Sequence, residues 1–321
     1  MATWGGRLVA TAALLPAPLV LAALAALAGC AGTQVDRAMG VRADVGRLPA
    51  VAEVSVAGPS ADRGAQVAVT VRSGAGVGEV ARVARGVAEA GGDGGWSTYR
   101  LELREADHPE DLLVGDEAFA TGGARSAVEA FRRTSDALLG PLTWTVAPGS
   151  TTVAVDAGGG LAHDVQEAAR TAYGDRTTTW RFVAGAGTVL VDGRVGPAEQ
   201  ELVERVQRSV ASPALPVPAD HWWLEARDDH VLLDLEVALP GAPVAGADLV
   251  PERYADAVGR LAGTALDAVR GGRPRLAVPL WLRLREGADV FAWWRSDRPP
   301  VPGRDPLGRG WDRWLHHLTA S

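Results

Sequence analysis

The chain has 321 residues, with 32 Lys plus Arg against 39 Asp plus Glu, a formal net charge of -7, 47% hydrophobic residues and one cysteine. This length suits two or three globular domains, and the acidic balance argues against a dedicated nucleic-acid binder. A single cysteine excludes an intrachain disulfide and a cysteine-rich zinc site, and the absence of Lys excludes Schiff-base and P-loop lysine chemistry.

The first thirty residues form a processing unit. Arg7 is followed by an uncharged Leu-, Ala- and Val-rich run that ends Leu27-Ala28-Gly29-Cys30. A charged start, an apolar run and small residues before a cut define a secretory signal peptide. The last four residues resemble the lipobox of bacterial lipoproteins. The resemblance covers about a tenth of the chain and implies cleavage before Cys30, a diacylglyceryl group on its thiol, and a body held by its acyl chains on the extracytoplasmic face of the cell membrane. An uncleaved membrane helix is the alternative, with Pro16 and Pro18 against it.

Beyond the signal, helical spacing of Val35, Ala38, Val41, Val45 and Leu48 predicts a helix over 33–48. Alternation predicts strands at Val51, Glu53, Ser55, at 66–72 and at Tyr99, Leu101, Leu103. Between the last two, Gly74-Ala75-Gly76 leads into a helix striped with Val77, Val80, Val83 and Val87, and an apolar piece at 112–119 closes the unit. The same order then recurs: helix 124–138, strands 142–147 and 151–156, helix 161–173, strands 178–184 and 187–192. It recurs again from Pro197, with strands 221–226 and 230–239, a helix opened by Pro251, and strands 275–285 and 289–295.

The expected fold is therefore α+β: three tandem two-layer α/β sandwich units in the order α-β-β-α-β-β, over 30–122, 123–195 and 196–297. In element order alone they are similar to ferredoxin-like or BON-like modules of bacterial envelopes. Alternation rather than continuous apolar runs predicts a sheet with one less-buried face. A Pro-rich linker and a short amphipathic tail, with Trp311, Trp314, Leu315 and Leu318 on one helical face, complete the chain over 298–321. Docking of that tail on the protein's own sheet is the expectation.

Candidate sites are few. Gly74-x-Gly76-x-Gly78 follows a strand and opens a helix, as in a dinucleotide-binding turn, but Glu79 stands where the third glycine belongs. His221, Glu225, Asp228, Asp229 and His230 cluster around a predicted hairpin turn that brings the two histidines roughly near each other; turn polarity accounts for them better than a metal does. Asp234 and Glu236 share one strand face and read as solvated charges. The third strand of each unit presents the most distinctive face: Arg100, Glu102 and Arg104; Arg181; and Trp281, Arg283 and Arg285. Arg beside Trp suits anionic or sugar-like groups. The adjacent pairs Trp222-Trp223 and Trp293-Trp294 place one ring on each side of a strand.

The reading is a non-enzymatic, lipid-anchored binding or scaffolding protein of the cell envelope. It has no catalytic set, metal or cofactor, and its candidate partner face is Arg100, Arg104, Arg181, Trp281, Arg283 and Arg285. An envelope protein or a polyanion is the expected partner. An envelope hydrolase with carboxylates from different units, or a carrier of an apolar ligand, is the alternative.

Overall fold

The computed structural model describes residues 33–320 other than 61, 186, 211–218, 238–249, 272–277, 288 and 299–309. The signal segment, Cys30 and most of the Pro-rich linker lie outside the described residues. A helix over 33–46 (α1) leads into β1 (Val51–Ala57), β2 (Ala65–Val71), α2 (Val77–Asp93), β3 (Tyr99–Glu105) and β4 (His108–Gly115). A π-helical turn (Phe119–Gly123) runs into α3 (Ala124–Ser135), followed by β5 (Leu142–Ala147), β6 (Ser150–Asp156), α4 (Leu161–Thr171), β7 (Thr178–Ala184) and β8 (Gly187–Asp192). Then come α5 (Pro197–Val210), β9 (Ala219–Ala226), β10 (Val231–Val237), α6 (Pro251–Gly271), β11 (Leu280–Glu286), β12 (Asp289–Arg295) and α7 (Trp311–Ala320).

The strands do not close into three sandwiches. All twelve lie in one sheet in chain order. Parallel pairing of β4 with β5 and of β8 with β9 carries the ladder across both expected unit boundaries. Antiparallel hairpins alternate with parallel crossovers throughout, and each crossover contains a helix. A two-layer unit with its outer strand edges unpaired would leave a row of free N–H and C=O groups. Joining the units edge to edge satisfies them.

Period-2 alternation decides which face is covered. Tyr99, Leu101 and Leu103 on β3, Trp180 and Phe182 on β7, and Leu280, Leu282 and Leu284 on β11 are all buried, as are their cross-strand partners. The helices turn Val83, Val87, Val128, Phe131, Val165, Val206, Leu261 and Ala265 onto that face, and one continuous core results. The sheet's other face has no helix on it among the described residues.

This layout has a topological consequence. The sheet grows in one direction while successive crossovers run in opposite directions along the strands, because a hairpin separates them. With every helix on one face, neighbouring crossovers must then have opposite hand. At least two of the five depart from the right-handed preference of parallel connections. The β4 to β5 crossover is irregular: the π-helical turn precedes α3, and the Phe119 N–H donates to Asp116 Oδ1 at 2.9 Å. Asp111, buried on β4, accepts from the Leu142 N–H at 2.7 Å and from the Ser135 hydroxyl, tying β5 and α3 together.

The free edge of β12 is handled by α7. Asp312 accepts the Trp293 backbone N–H at 3.0 Å. Trp311 and Leu315 are fully buried, and the Trp311 ring meets Phe291 edge-on at 4.9 Å. A bulge between Leu284 and Arg285 turns both Phe291 and Ala292 inward to receive it. The tail therefore docks on its own sheet edge, as its apolar stripe predicts.

Candidate functional site

The six residues of the expected partner face all point away from the helices, but they do not form one site. They lie on β3, β7 and β11, four strands apart, or about 19 Å at each step. On β3, Arg100 Nε donates to Glu102 Oε1 at 2.9 Å, and Arg104 Nη2 stands 3.8 Å from Glu102 Oε2. Arg181 is exposed on β7, with Ala154 and Leu190 as its neighbours across the strands.

Around Trp281, Arg283 and Arg285 the face is different. Strand register builds a grid on β9 to β12. One row runs Trp223, Asp234, Arg283, Trp293. The row on one side of it is Glu225, Leu232, Trp281, Arg295, and the row on the other holds His221, Glu236 and Arg285. Two tryptophans thus border an acid–base pair, about 14 Å apart by three strand spacings.

Asp234 is the centre of this grid and is buried rather than solvated, a correction to the expectation for strand carboxylates. Arg283 donates to its Oδ2 from Nε at 2.9 Å, and Arg285 donates to its Oδ1 from Nε at 3.1 Å. Arg285 also reaches Glu236 at 3.4 Å and the Gly287 carbonyl at 3.1 Å. A carboxylate with this little water is tenable because charged donors occupy both oxygens.

Trp281 is enclosed from both sides. The His230 ring stacks on it at 3.8 Å with planes 11° apart, and the Arg295 guanidinium lies 4.1 Å from its ring centre. Arg295 is in turn forked to Asp297 at 3.0 and 2.8 Å. Those hydrogen bonds, chiefly, hold the Asp297 carboxyl below its ordinary range. His230 Nδ1 lies 2.7 Å from Asp229 Oδ1, and this hydrogen bond likewise depresses Asp229. Both faces of Trp281 are thus covered by side chains of the grid itself.

At the β9 end, Arg227 donates to both Asp192 oxygens at 3.1 and 3.0 Å and to Glu225 at 2.9 Å. The Glu225 hydrogen bond is the main cause that raises the Arg227 pKa further. Trp223 Nε1–H donates to Glu225 Oε1 at 2.9 Å. Each arginine of the grid is therefore matched to a carboxylate, and the surface is close to neutral. The ring left open is Trp293, 42% exposed.

The histidine cluster separates. His221 pairs with Glu236 and His230 sits just before Val231, so the two lie at opposite ends of the β9–β10 hairpin. Among the described residues no group of three His, Cys, Asp or Glu could hold a metal ion. The glycine loop before α2 does not present an open helix N-terminus, because Glu79 Oε2 accepts the Gly76 N–H at 2.7 Å. Glu199 does the same for Gly196 at α5, at 2.9 Å. A side-chain carboxylate already occupies the place a phosphate would take.

Two open clefts among the described residues carry charged side chains in their linings. One of about 290 Å³ is lined by Gly76, Glu105, Asp107, His108, Arg132 and Asp136. There Arg132 Nε donates to Glu105 Oε1 at 2.5 Å. The other, about 410 Å³, lies between α5 and α6 and is lined by Glu201, Arg205, Arg208 and Asp267 among others.

Sequence reading placed one ring of each adjacent Trp pair on each side of its strand, but not which rings face outward or that Trp223 and Trp293 share one row. That needs the β9-β10-β11-β12 register, and the parallel β10–β11 pairing spans the whole of α6. Gly187 was an overlooked signal. A Cβ there would fall 2.3 Å from the Trp222 ring, so the glycine makes room for the inward member of the Trp222-Trp223 pair. No family model, curated protein or solved structure matches the chain.

Proposed function

We propose that the protein is a lipid-anchored, extracytoplasmic binding protein that engages an envelope partner through the uncovered face of β9 to β12. One observation carries this reading. On the uncovered sheet face, a braced row of Trp223, Asp234, Arg283 and Trp293 presents an exposed ring beside a pre-paired ion network. Exposed Trp and ordered Arg are the residue types that dominate binding energy at protein interfaces. The matched charges favour a protein surface over a polyanion, since an anionic polymer would have to displace the carboxylates of Asp234, Glu225 and Asp297. Anchoring is supported by the Leu27-Ala28-Gly29-Cys30 motif. No helix among the described residues is long and apolar enough to cross a membrane.

The test is photo-crosslinking in intact cells, with a photoreactive residue in place of Trp293 or, as a control, of Thr145 on the same face. Discrete adducts at position 293 and none at 145 are expected. Equal or absent labelling at both positions would refute the face. Labelled palmitate should enter the wild-type chain and not Cys30→Ala.

A further inference from the structure

The outer stripe of α1 points to a second surface. Α1 buries Val41 and Val45 in the core; a Cβ on Gly94 of α2's end would lie 3.1 Å from Val41, and Gly58 after β1 approaches the Gln34 carbonyl. At 100° per residue, Val35, Met39 and Ala43 form a stripe on the helix's outer flank, with Arg42 at one border and Asp36 at the other, and with Arg37 and Asp44 elsewhere. Val35 is 58% and Met39 57% exposed; with Leu139 and Trp293 they make up the large apolar residues left exposed among the described residues. Two of those four therefore sit one turn apart at the start of α1.

We propose that this stripe lies on the phospholipid surface to which Cys30 is anchored. The inference rests on the lipid-anchor reading and deepens it. Its argument is the length of chain between the anchor and the helix. Two residues, Ala31 and Gly32, separate Cys30 from Thr33, and an extended chain spans at most about 11 Å over those three steps. An acylated Cys30 at the headgroup level therefore keeps the first turns of α1 within reach of the interface whatever conformation those residues take. A helix in that position with an apolar outer stripe can lower it toward the acyl boundary, 5–10 Å deep in known interfacial helices, while a flanking arginine reaches lipid phosphate. Arg42 is exposed and is positioned to do so. The arrangement gives the body an orientation that a lipid chain alone does not. The β1 end of the sheet rests at the membrane. The β9–β12 grid starts eight strand spacings from β1, about 38 Å away measured along the sheet.

The experiment uses the full, acylated chain in vesicles of phosphatidylethanolamine and phosphatidylglycerol. Val35→Cys, Met39→Cys and Asp44→Cys are each labelled with an environment-sensitive fluorophore, Cys30 being blocked by its acyl group. Labels at 35 and 39 should shift to the blue and lose roughly half their emission to lipids brominated near the headgroup, while the label at 44 stays solvent-like. Solvent-like emission at 35 and 39 from a chain shown by mass to be acylated overturns the stripe and leaves the anchor standing. An N-terminal peptide without the diacylglyceryl mass overturns both.

Discussion

The outer face of the sheet changes character between its central strands and its last four. On β5 to β8 it carries Thr143, Thr145, Thr152, Ala154, Thr179, Arg181, Val183, Thr188 and Leu190. On β9 to β12 it carries Trp223, Asp234, Glu236, Trp281, Arg283, Arg285, Trp293 and Arg295. The helix-facing side shows no such change: Trp144 and Trp180 are buried beneath the first region, Trp222 and Trp294 beneath the second. One scaffold thus supports two surfaces. The central strands hold together with threonines, small and aliphatic side chains and one exposed arginine, so the aromatic and ionic grid is not a requirement of the sheet. On the proposed function, its presence answers to what that end of the molecule meets.

The largest effects should fall on the inner face and be alike in both regions. Trp144→Ala and Trp222→Ala each remove a buried indole and should cost about 3–5 kcal/mol by urea denaturation. A cost confined to one of them would mean that the two regions do not share one core. Gly187→Ala belongs with Trp222, because the added methyl would overlap its ring.

On the outer face the regions should part. Asp234→Ala leaves Arg283 and Arg285 with their main carboxylate gone. Both side chains keep about a third of their exposure, so solvent softens the loss from the buried-pair figure to about 2 kcal/mol. Thr143→Ala should stay within about 0.5 kcal/mol. Equal costs at the two positions would show that the grid is surface decoration.

A pH test separates a buried carboxylate of the central region from the paired ones of the grid. Asp164 on α4 is fully buried; it accepts the Leu139 N–H at 2.8 Å, and its other oxygen has no partner among the described residues. Burial, the main cause, raises its pKa. Between the ordinary carboxylate value and that raised one, the native state holds more protons than the unfolded chain. Stability contributed by Asp164 is therefore complete at low pH and falls as pH climbs through that window. In Asp164→Asn this component of the fall should vanish. Asp229 and Asp297 behave oppositely: their lowered values add stability that is lost only as pH drops through the carboxylate range. An Asp164→Asn curve parallel to wild type would show that the group is ionised in the fold without cost.

Much of the element order is legible in the sequence because period-2 and period-3.6 patterns are local. Strands 178–184 and 187–192 and the helices opened by Pro197 and Pro251 fall where alternation and capping place them. β4 is longer than its apolar part, because Pro109, Glu110 and Asp111 mask its start and Asp111 is a buried acceptor rather than a solvent residue. The single sheet was not legible. Edge-to-edge joining of units leaves the same alternation in every strand as separate sandwiches would, and the preference for right-handed crossovers points away from helices on one face. The grid was half legible: the outward residues of each strand follow from parity, but the pairing of Asp234 with Arg283 and the stacking of His230 on Trp281 depend on register across α6.

The smallest effect on stability should come from the residue with the largest expected effect on binding. Trp293 lies on the edge strand, 42% exposed, and its backbone N–H donates to Asp312 Oδ1 at 3.0 Å. Trp293→Ala keeps that bond and should change unfolding free energy by no more than about 0.5–1 kcal/mol. If the open ring anchors a partner, the same substitution should abolish the adducts formed from a photoreactive group placed at Trp223, the other end of its row, while Thr145→Ala leaves them intact. A substitution that lowers stability by several kcal/mol would instead make Trp293 part of the fold, and the contrast between the two halves of the face would lose its functional meaning.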